Sequence, residues 1–462
     1  MIVEMKRFYR LLVTAVVAAI ALSCTKQPVL QVEGGLVQGI NSAAKGVTVF
    51  KGIPYAAPPV DTLRWRVPQP VIPWEGVKVA DTFGKIAWQD DLSKLDLFGK
   101  EFYAEGMPEM SEDCLYLNVW APSKTLGDKN AKLPVAVWIH GGAFRHGFSY
   151  EKSMDGDAWA KEGVILVTIA YRVGLLGFFG NDMLAKEPVS NGRCGNYGFY
   201  DQYAALKWVN ENIASFGGDP GNVTIFGQSA GARSVQTLVS SILARPYISK
   251  AIMQSGGGIS VSQQKNTLSF MDIRKAGNEF CEWAGYETLE QLRAVSPQDL
   301  RQKYAEYQAE GGNIPFGPML DLYLIGNTFT TASALNNIMD IPYMIGFTTG
   351  DGRRSGIDID EFCASRNYYN GKPVFEYQFD RALPGDDAGA FHTCELWYTF
   401  GTLDRAWRPF TKGDHDLSRE MISAWTNFCK YGNPCGPEQT DYWPPFTSDN
   451  PYRKVFNVKE DQ

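Results

Sequence analysis

The chain has 462 residues, 44% of them hydrophobic and 21% charged, a composition that supports a sizeable core and excludes a disordered chain. Its net charge of −7 comes with no basic cluster, which argues against nucleic acid as a partner. No H-E-x-x-H run and no cysteine pair with zinc-site spacing occurs, so the residues give no reason to expect a metal.

Residues 1–24 read as a targeting segment rather than as part of the fold. Lys6, Arg7 and Arg10 form a positive start, and Leu11 to Leu22 an apolar run, shorter than the roughly 20 residues of a membrane-spanning helix. Ala21-Leu22-Ser23-Cys24 has the form of a bacterial lipobox. It predicts cleavage before Cys24, lipidation of that cysteine and export. The protein is then held at the cell envelope by its N-terminal lipid, at the outer membrane on its periplasmic or surface side. Export permits disulfides. The other seven of the eight cysteines stand at 114, 194, 281, 363, 394, 429 and 435. Seven is odd, so at least one thiol stays unpaired within a single chain.

Residues 25–32 read as a short tether. Gly35 to Gly39 and Val47 to Ile53 look like antiparallel strands, followed by a proline- and aromatic-rich ordered loop from Pro54 to Pro73. Ser111 to Trp120 opens as a turn and becomes a strand by alternation at Leu115, Leu117 and Val119. Pro134 to Ile139 and Val164 to Ala170 are near-continuous apolar runs, as strands covered on both faces should be. Tyr200 to Ile213 reads as an amphipathic helix. Val223 to Phe226 then predicts a strand, Ala230 to Leu243 a helix, and Ala251 to Gln254 another strand. Residues 261–312 are polar and helical, an insertion or cap over one face. Ile341 to Ile345 and Val374 to Phe379 are strand-like, and Leu417 to Lys430 is the last helix, ended by Gly432-Asn433-Pro434. Alternating β and α predicts an α/β fold with a mostly parallel sheet flanked by helices. No linker interrupts residues 33–455, so residues 33–462 are expected to form one domain.

Between the strand at Val223 and the helix at Ala230 stands Gly227-Gln228-Ser229-Ala230-Gly231. In that context G-x-S-x-G means a sharp turn that lifts the serine hydroxyl clear of the backbone. A serine hydroxyl is a poor nucleophile until a base takes its proton, and the base needs a carboxylate to hold its tautomer. On a strand-turn-helix elbow these partners follow in the order Ser, acid, His. Of the four histidines, His392 and His415 follow Ser229. His415 sits in a polar stretch and reads as a helix-entry residue. His392, after a strand and a loop, is the expected base. Asp351 stands just past the strand Ile341 to Ile345 and is the expected acid. Asp321 lies upstream of that strand and reads as structural, and Asp358, Asp360 and Glu361 are weaker candidates. The oxyanion should rest on the amide of Ala230 and on the glycine-rich loop Trp138 to Phe144. His140 is then a loop-holding residue and His146 a rim residue.

With these residues in place, the chain resembles the type-B carboxylesterases, the family that includes cholinesterases and bacterial para-nitrobenzyl esterases. The likeness runs in order through Phe50 to Pro59, Leu63 to Arg66, Glu112 to Trp120, Tyr171-Arg172 with Gly177-Phe178, Gly195 to Gly198 with Asp201-Gln202, Asn212 to Pro220, and Gln254 to Gly256. The resemblance implies an α/β-hydrolase fold with a reduced cap. It implies a serine hydrolase of small-molecule carboxylic esters that needs no cofactor. By family pattern Ser229 is the nucleophile, His392 the base, Asp351 the acid, and the amides of Gly142, Ala143 and Ala230 the oxyanion hole. Arg64 with Glu112, and Arg172 with Asp201, are structural ion pairs by the same pattern. An amide or thioester preference uses the same triad, and an inactive binding protein is the rival from another class.

The chain departs from that pattern in three places. The acid is an aspartate in Gly350-Asp351-Gly352 where the family has glutamate. The cysteine that pairs with Cys114 in the family is missing, with Ala87 near its place. The interval from Asp351 to His392 is short, which predicts that helices walling the pocket are deleted around 353–372 and that the site is open to bulky esters.

Overall fold

The structure, a computed structural model, describes residues 27–259, 268–437 and 442–458. The targeting segment and Cys24 lie outside the described residues. The strands are β1 (Val29–Val32), β2 (Gly35–Gln38), β3 (Ile40–Asn41), β4 (Val47–Pro54), β5 (Val77–Val79), β6 (Tyr116–Pro122) and β7 (Leu133–Ile139). They continue with β8 (Ile165–Ile169), β9 (Gly218–Gln228), β10 (Lys250–Gln254), β11 (Tyr343–Thr348), β12 (Val374–Phe379) and β13 (Arg453–Phe456).

Among the described residues, ten strands form one sheet in the order β13-β12-β11-β10-β9-β7-β8-β6-β4-β3. From β13 to β8 every pairing is parallel. At the other edge β6, β4 and β3 pair antiparallel. This is the mostly parallel sheet that the alternation of strands and helices predicts. β1, β2 and β5 make a separate small sheet. The tether expected over 25–32 therefore gives way at Val29, where Leu30 and Val32 are buried and the strand pairs with β2.

Two-residue periodicity sends alternate side chains of each central strand to opposite faces. Val135, Val137 and Ile139 of β7 join one core with Ile225 of β9 and the helices Tyr197–Asn212 and Ala230–Ser240. Ala136 and Trp138 join the other with Phe226, Trp159, Trp425 and Phe428. Each valine, isoleucine or phenylalanine side chain buried this fully contributes roughly 1.5–3 kcal/mol. Two-sided burial is why these strands read as continuous apolar runs.

The polar cap resolves into the helices Phe270–Ala284, Leu289–Ala294 and Pro297–Ala309. Their Phe280, Leu292 and Leu300 pack with Leu175, Phe179 and Tyr197 in a third core. The last helix runs over Lys412–Tyr431, starting ahead of the expected Leu417. Thr411 and Asp414 cap each other's backbone amides there, and Gly432 ends the helix at φ 70°. No helix of the described residues is long and apolar enough to cross a membrane.

The segment expected to have lost its helices carries one. Arg353–Tyr368 is a helix with Ile359, Phe362 and Cys363 buried. It crosses between β11 and β12, which the parallel pairing of those strands requires.

Cys114, Cys194, Cys281, Cys363, Cys394 and Cys429 are buried, free thiols, and the buried Cys435 thiol donates to Trp443 O at 3.3 Å. Near Cys114 a long loop is closed at its base by Ile86 N–H to Glu109 O at 3.0 Å and Ser111 N–H to Ile86 O at 2.8 Å. Lys85 and Glu109 add an ion pair at 2.6 Å.

Candidate active site

The chain leaves β7 to place β8 on one side and then returns to place β9 on the other. That reversal opens a crevice at the carboxyl ends of β7 and β9. The glycine loop leaves β7 there, and the serine turn leaves β9.

Ser229 has φ 57° and ψ −122° between β9 and the helix Ala230–Ser240. Its N–H donates to Gln254 O at 2.8 Å, which pins the turn to β10. A Cβ on Gly227 would stand 2.5 Å from the Gly231 carbonyl carbon, and one on Gly231 would stand 2.1 Å from Ile139 O. Both glycines are therefore demanded by the turn, not merely tolerated. Ala230 is the first residue of the helix, where backbone amides have no intrahelical acceptor.

The glycine loop lies against this elbow. A Cβ on Gly141 would approach Gln228 O to 2.8 Å and Ser229 Cβ to 3.2 Å. Gly142 has φ 99°, Ala143 φ 53° and Phe144 φ 60°, so three successive residues take positive φ. Arg145 N–H and His146 N–H both donate to Gly142 O, at 2.9 and 3.1 Å. Gln89 braces the loop from outside, accepting from Gly147 N–H at 2.7 Å and donating to Gly147 O at 3.1 Å. His140 is buried, stacked on Tyr171 at 4.2 Å, and its Nδ1–H donates to Gly141 O at 2.9 Å. Burial pulls its pKa down to about 4, so it stays a neutral strut, as a loop-holding residue should.

The Nδ1 of half-buried His392 meets Asp351 Oδ1 at 2.5 Å. Asp351 Oδ2 accepts from Thr348 N–H at 3.0 Å, fixing the carboxylate just past β11. The shorter aspartate side chain thus spans the distance. Burial alone raises the Asp351 pKa, but His392, Ser255 and the Thr348 amide outweigh it and hold the carboxyl below its ordinary value. Burial likewise lowers His392, and the hydrogen bond and charge of Asp351 reverse this to a net rise. On the far side of the ring, Nε2 lies 3.2 Å from the Gln228 side-chain nitrogen. With its Nδ1–H donating to Asp351, Nε2 is the acceptor.

Ser229, His392, Gly142, Ala143 and His146 all line one cavity of about 390 Å³. Leu95, Phe98, Phe102, Met154 and Leu396 give it an apolar wall. Phe98 and Phe102 belong to the helix Asp96–Phe102. Glu101 of that helix accepts from Trp397 and Trp407 at 2.8 and 2.9 Å and pairs with fully buried Arg408 at 2.9 Å. None of the residues that line the cavity comes from the helix Arg353–Tyr368.

The other acidic and histidine candidates fall elsewhere. Asp321 accepts from the amides of Tyr323, Leu324 and Ile325 and from the Tyr200 hydroxyl, the work of a turn. His415 lies in the first turn of Lys412–Tyr431 and faces Asp404 at 3.7 Å. Arg64–Glu112 and Arg172–Asp201 are close buried ion pairs at 2.6 and 2.7 Å. Sequence reasoning gave no role to Glu395, Ser255 or Gln228. Ser255 donates to Glu395 Oε1 at 3.2 Å, and burial together with the Asp351 charge lifts Glu395 to about 7. Its position three residues after His392 was the available signal.

The carboxylesterase family profile matches residues 26–362 and 356–462. The chain is 35% identical over 463 aligned residues to the para-nitrobenzyl esterase of Bacillus subtilis (strain 168), covering 87% of this chain and 89% of that relative. It is 32% identical over 544 residues to a medium-chain fatty acyl-CoA hydrolase precursor of Anas platyrhynchos, covering 98% and 94%. A solved thermophilic PNB esterase superposes with a TM-score of 0.80 at 31% identity, covering 94% of this chain and 96% of the other.

Proposed function

The chain belongs to the carboxylesterase family and is a carboxylic-ester hydrolase of α/β-hydrolase fold, in which we propose that Ser229, His392 and Asp351 form the catalytic triad. Ser229 Oγ attacks the ester carbonyl carbon while His392 Nε2 takes the hydroxyl proton. The carbonyl oxygen gathers negative charge and rests on the amides of Gly142, Ala143 and Ala230. His392 returns the proton to the departing alcohol, leaving an acyl-serine. Water, deprotonated by the same nitrogen, then releases the acid and restores Ser229. Asp351 holds the Nδ1–H tautomer and steadies the imidazolium that forms in each step.

The observation that carries this reading is the 2.5 Å contact from His392 to Asp351 in the wall of a cavity that His392 shares with Ser229. Hydrolysis of para-nitrophenyl esters of rising acyl length tests it. Turnover by the protein that disappears in Ser229→Ala establishes the nucleophile. Equal turnover in that variant would remove Ser229 from the mechanism. The likeness to a fatty acyl-CoA hydrolase is reason to include thioesters with matched acyl groups, and matched amides, in the same panel.

The envelope attachment is proposed on the sequence alone. Lys6, Arg7 and Arg10, the apolar run and Ala21-Leu22-Ser23-Cys24 support export and lipidation of Cys24. Intact-mass measurement of the membrane fraction tests this. A diacylglyceryl adduct on Cys24, absent from Cys24→Ser, is expected, and an unmodified or uncleaved N-terminus would contradict it.

A further inference from the structure

Glu151 lines the same cavity as Ser229 and His392 yet has no part in the chemistry above. It is 7% exposed. Its Oε1 accepts the Phe148 N–H at 3.2 Å, and the Tyr103 hydroxyl, on another wall of the cavity, donates to the same carboxyl. Among the described residues no lysine or arginine forms an ion pair with it. Its neighbour Lys152 turns instead to Glu105 at 2.9 Å. The cavity's other titratable side chains are Tyr103, His146 and His392. Burial holds His146 below its ordinary pKa and lifts Glu151 to about 7.

A buried carboxyl without a cation is costly in a mostly apolar wall. Two oxygens offer about four acceptor positions, and Phe148 and Tyr103 account for two. The remaining capacity favours a ligand that brings a hydrogen-bond donor. Phe98, Phe102 and Tyr103 give the same cavity flat aromatic faces, which suit the C–H faces of a polyol.

We propose that Glu151 is a substrate-recognition residue that hydrogen-bonds a free hydroxyl carried by the ester, so that hydroxylated esters, such as partly acylated polyols, are preferred over plain alkyl esters. This rests on the esterase reading of the cavity. Glu151 acts by holding the substrate, not by moving a proton in the reaction.

The test compares kcat/KM for three esters in the wild type and in two variants. Propyl butyrate is the plain ester, glyceryl monobutyrate carries hydroxyls on the alcohol side, and propyl 3-hydroxybutyrate carries one on the acyl side. At about pH 8.5, where Glu151 is mostly charged, the ratio of one hydroxylated ester to propyl butyrate in Glu151→Leu is expected to fall about tenfold or more from its wild-type value, the size of a hydrogen bond to a charged group. Which ester responds shows on which side Glu151 reads the substrate. Glu151→Gln keeps an accepting oxygen and should lose only part of that ratio, about threefold, and it gives the readout if the leucine variant does not fold. A uniform fall across all three esters would mean a loop-holding role and would overturn the proposal, as would unchanged ratios. No wild-type turnover of propyl butyrate or either hydroxylated ester would instead sink the esterase reading, and this proposal with it.

Discussion

The Gln228 side chain sits 3.2 Å from His392 Nε2, on the opposite face of the imidazole's hydrogen bonding from Asp351 at 2.5 Å. The residue beside the nucleophile thus occupies the base nitrogen, while the acid occupies the other. A neutral amide there leaves the ring's charge to be set by Asp351 and, more weakly, by Glu395. Gln228→Glu would add a negative charge that favours the imidazolium. The acid limb of the kcat/KM profile should move up by about 1 pH unit, measured between pH 5 and 9 with a para-nitrophenyl ester. A downward move would contradict the geometry.

In the wild type the same sign argument sets where that limb lies. His392 works as a base only when neutral. Its pKa is raised, because Asp351 outweighs burial, so activity should climb with pH through a midpoint above the ordinary histidine value. Glu395→Gln removes a carboxyl that raises His392, and should move this midpoint down. A midpoint that stays fixed in the variant would show that Glu395 is uncharged across the range.

Asp351→Asn keeps the shape but loses the charge and the acceptor that holds the Nδ1–H tautomer. A fall in kcat of roughly 10³–10⁴-fold is expected, with the thermal midpoint little changed. Asp351→Glu tests reach rather than charge and should keep more activity than the asparagine. Equal loss in both would mean that the pocket past β11 admits only the shorter acid.

Glu101 joins the cavity wall to the body of the domain through Arg408, Trp397 and Trp407. Removing Glu101 leaves Arg408 with Asp386 at 2.8 Å but takes the acceptor from Trp397 and Trp407, at about 1–3 kcal/mol for each buried donor left unpaired. Glu101→Ala should therefore lower the thermal midpoint. It should also raise KM for aryl esters, because Phe98 and Phe102 share its helix. Thermal melts and KM values on one preparation check both.

Gly231→Ala puts a methyl where Ile139 O stands 2.1 Å away. The helix and β7 cannot both keep their places, so Ser229 loses its alignment with the glycine loop. Activity should fall by at least a hundredfold, a scale set by misplacements of about 1 Å in oriented sites. Retention of full activity would show that the elbow tolerates a shift.

Much of this was legible because local signals and the fold agree. The serine turn could be read from Gly227 and Gly231, whose lack of side chains the packing against Ile139 and each other demands. The central strands could be read because burial on both faces leaves β8 apolar but for Thr168. Val29–Val32 was missed since its buried residues alternate with exposed ones over only four positions, too few to separate a strand from a tether. The helix Arg353–Tyr368 was missed because only part of it is buried and its sequence is largely polar. Glu151 and Glu101 were invisible for a different reason. A carboxylate's role depends on what tertiary contact surrounds it, and neither sequence neighbourhood names Tyr103 or Arg408 as the partner.

The seven buried thiols bear on how this protein is made and kept. With no disulfide among Cys114, Cys194, Cys281, Cys363, Cys394 and Cys429, the loop from Ile86 to Met110 is closed by backbone hydrogen bonds and one ion pair. Closing that loop then needs no thiol oxidant and no shuffling of wrong pairings. Melting curves with and without reductant should superimpose. Burial raises Cys194 to about 12 and Cys281 and Cys429 to about 11, so almost no thiolate is present at neutral pH to react. An oxidising surrounding would leave these sulfurs alone until the domain opens, and the rate of their labelling would then serve as a clock for its unfolding.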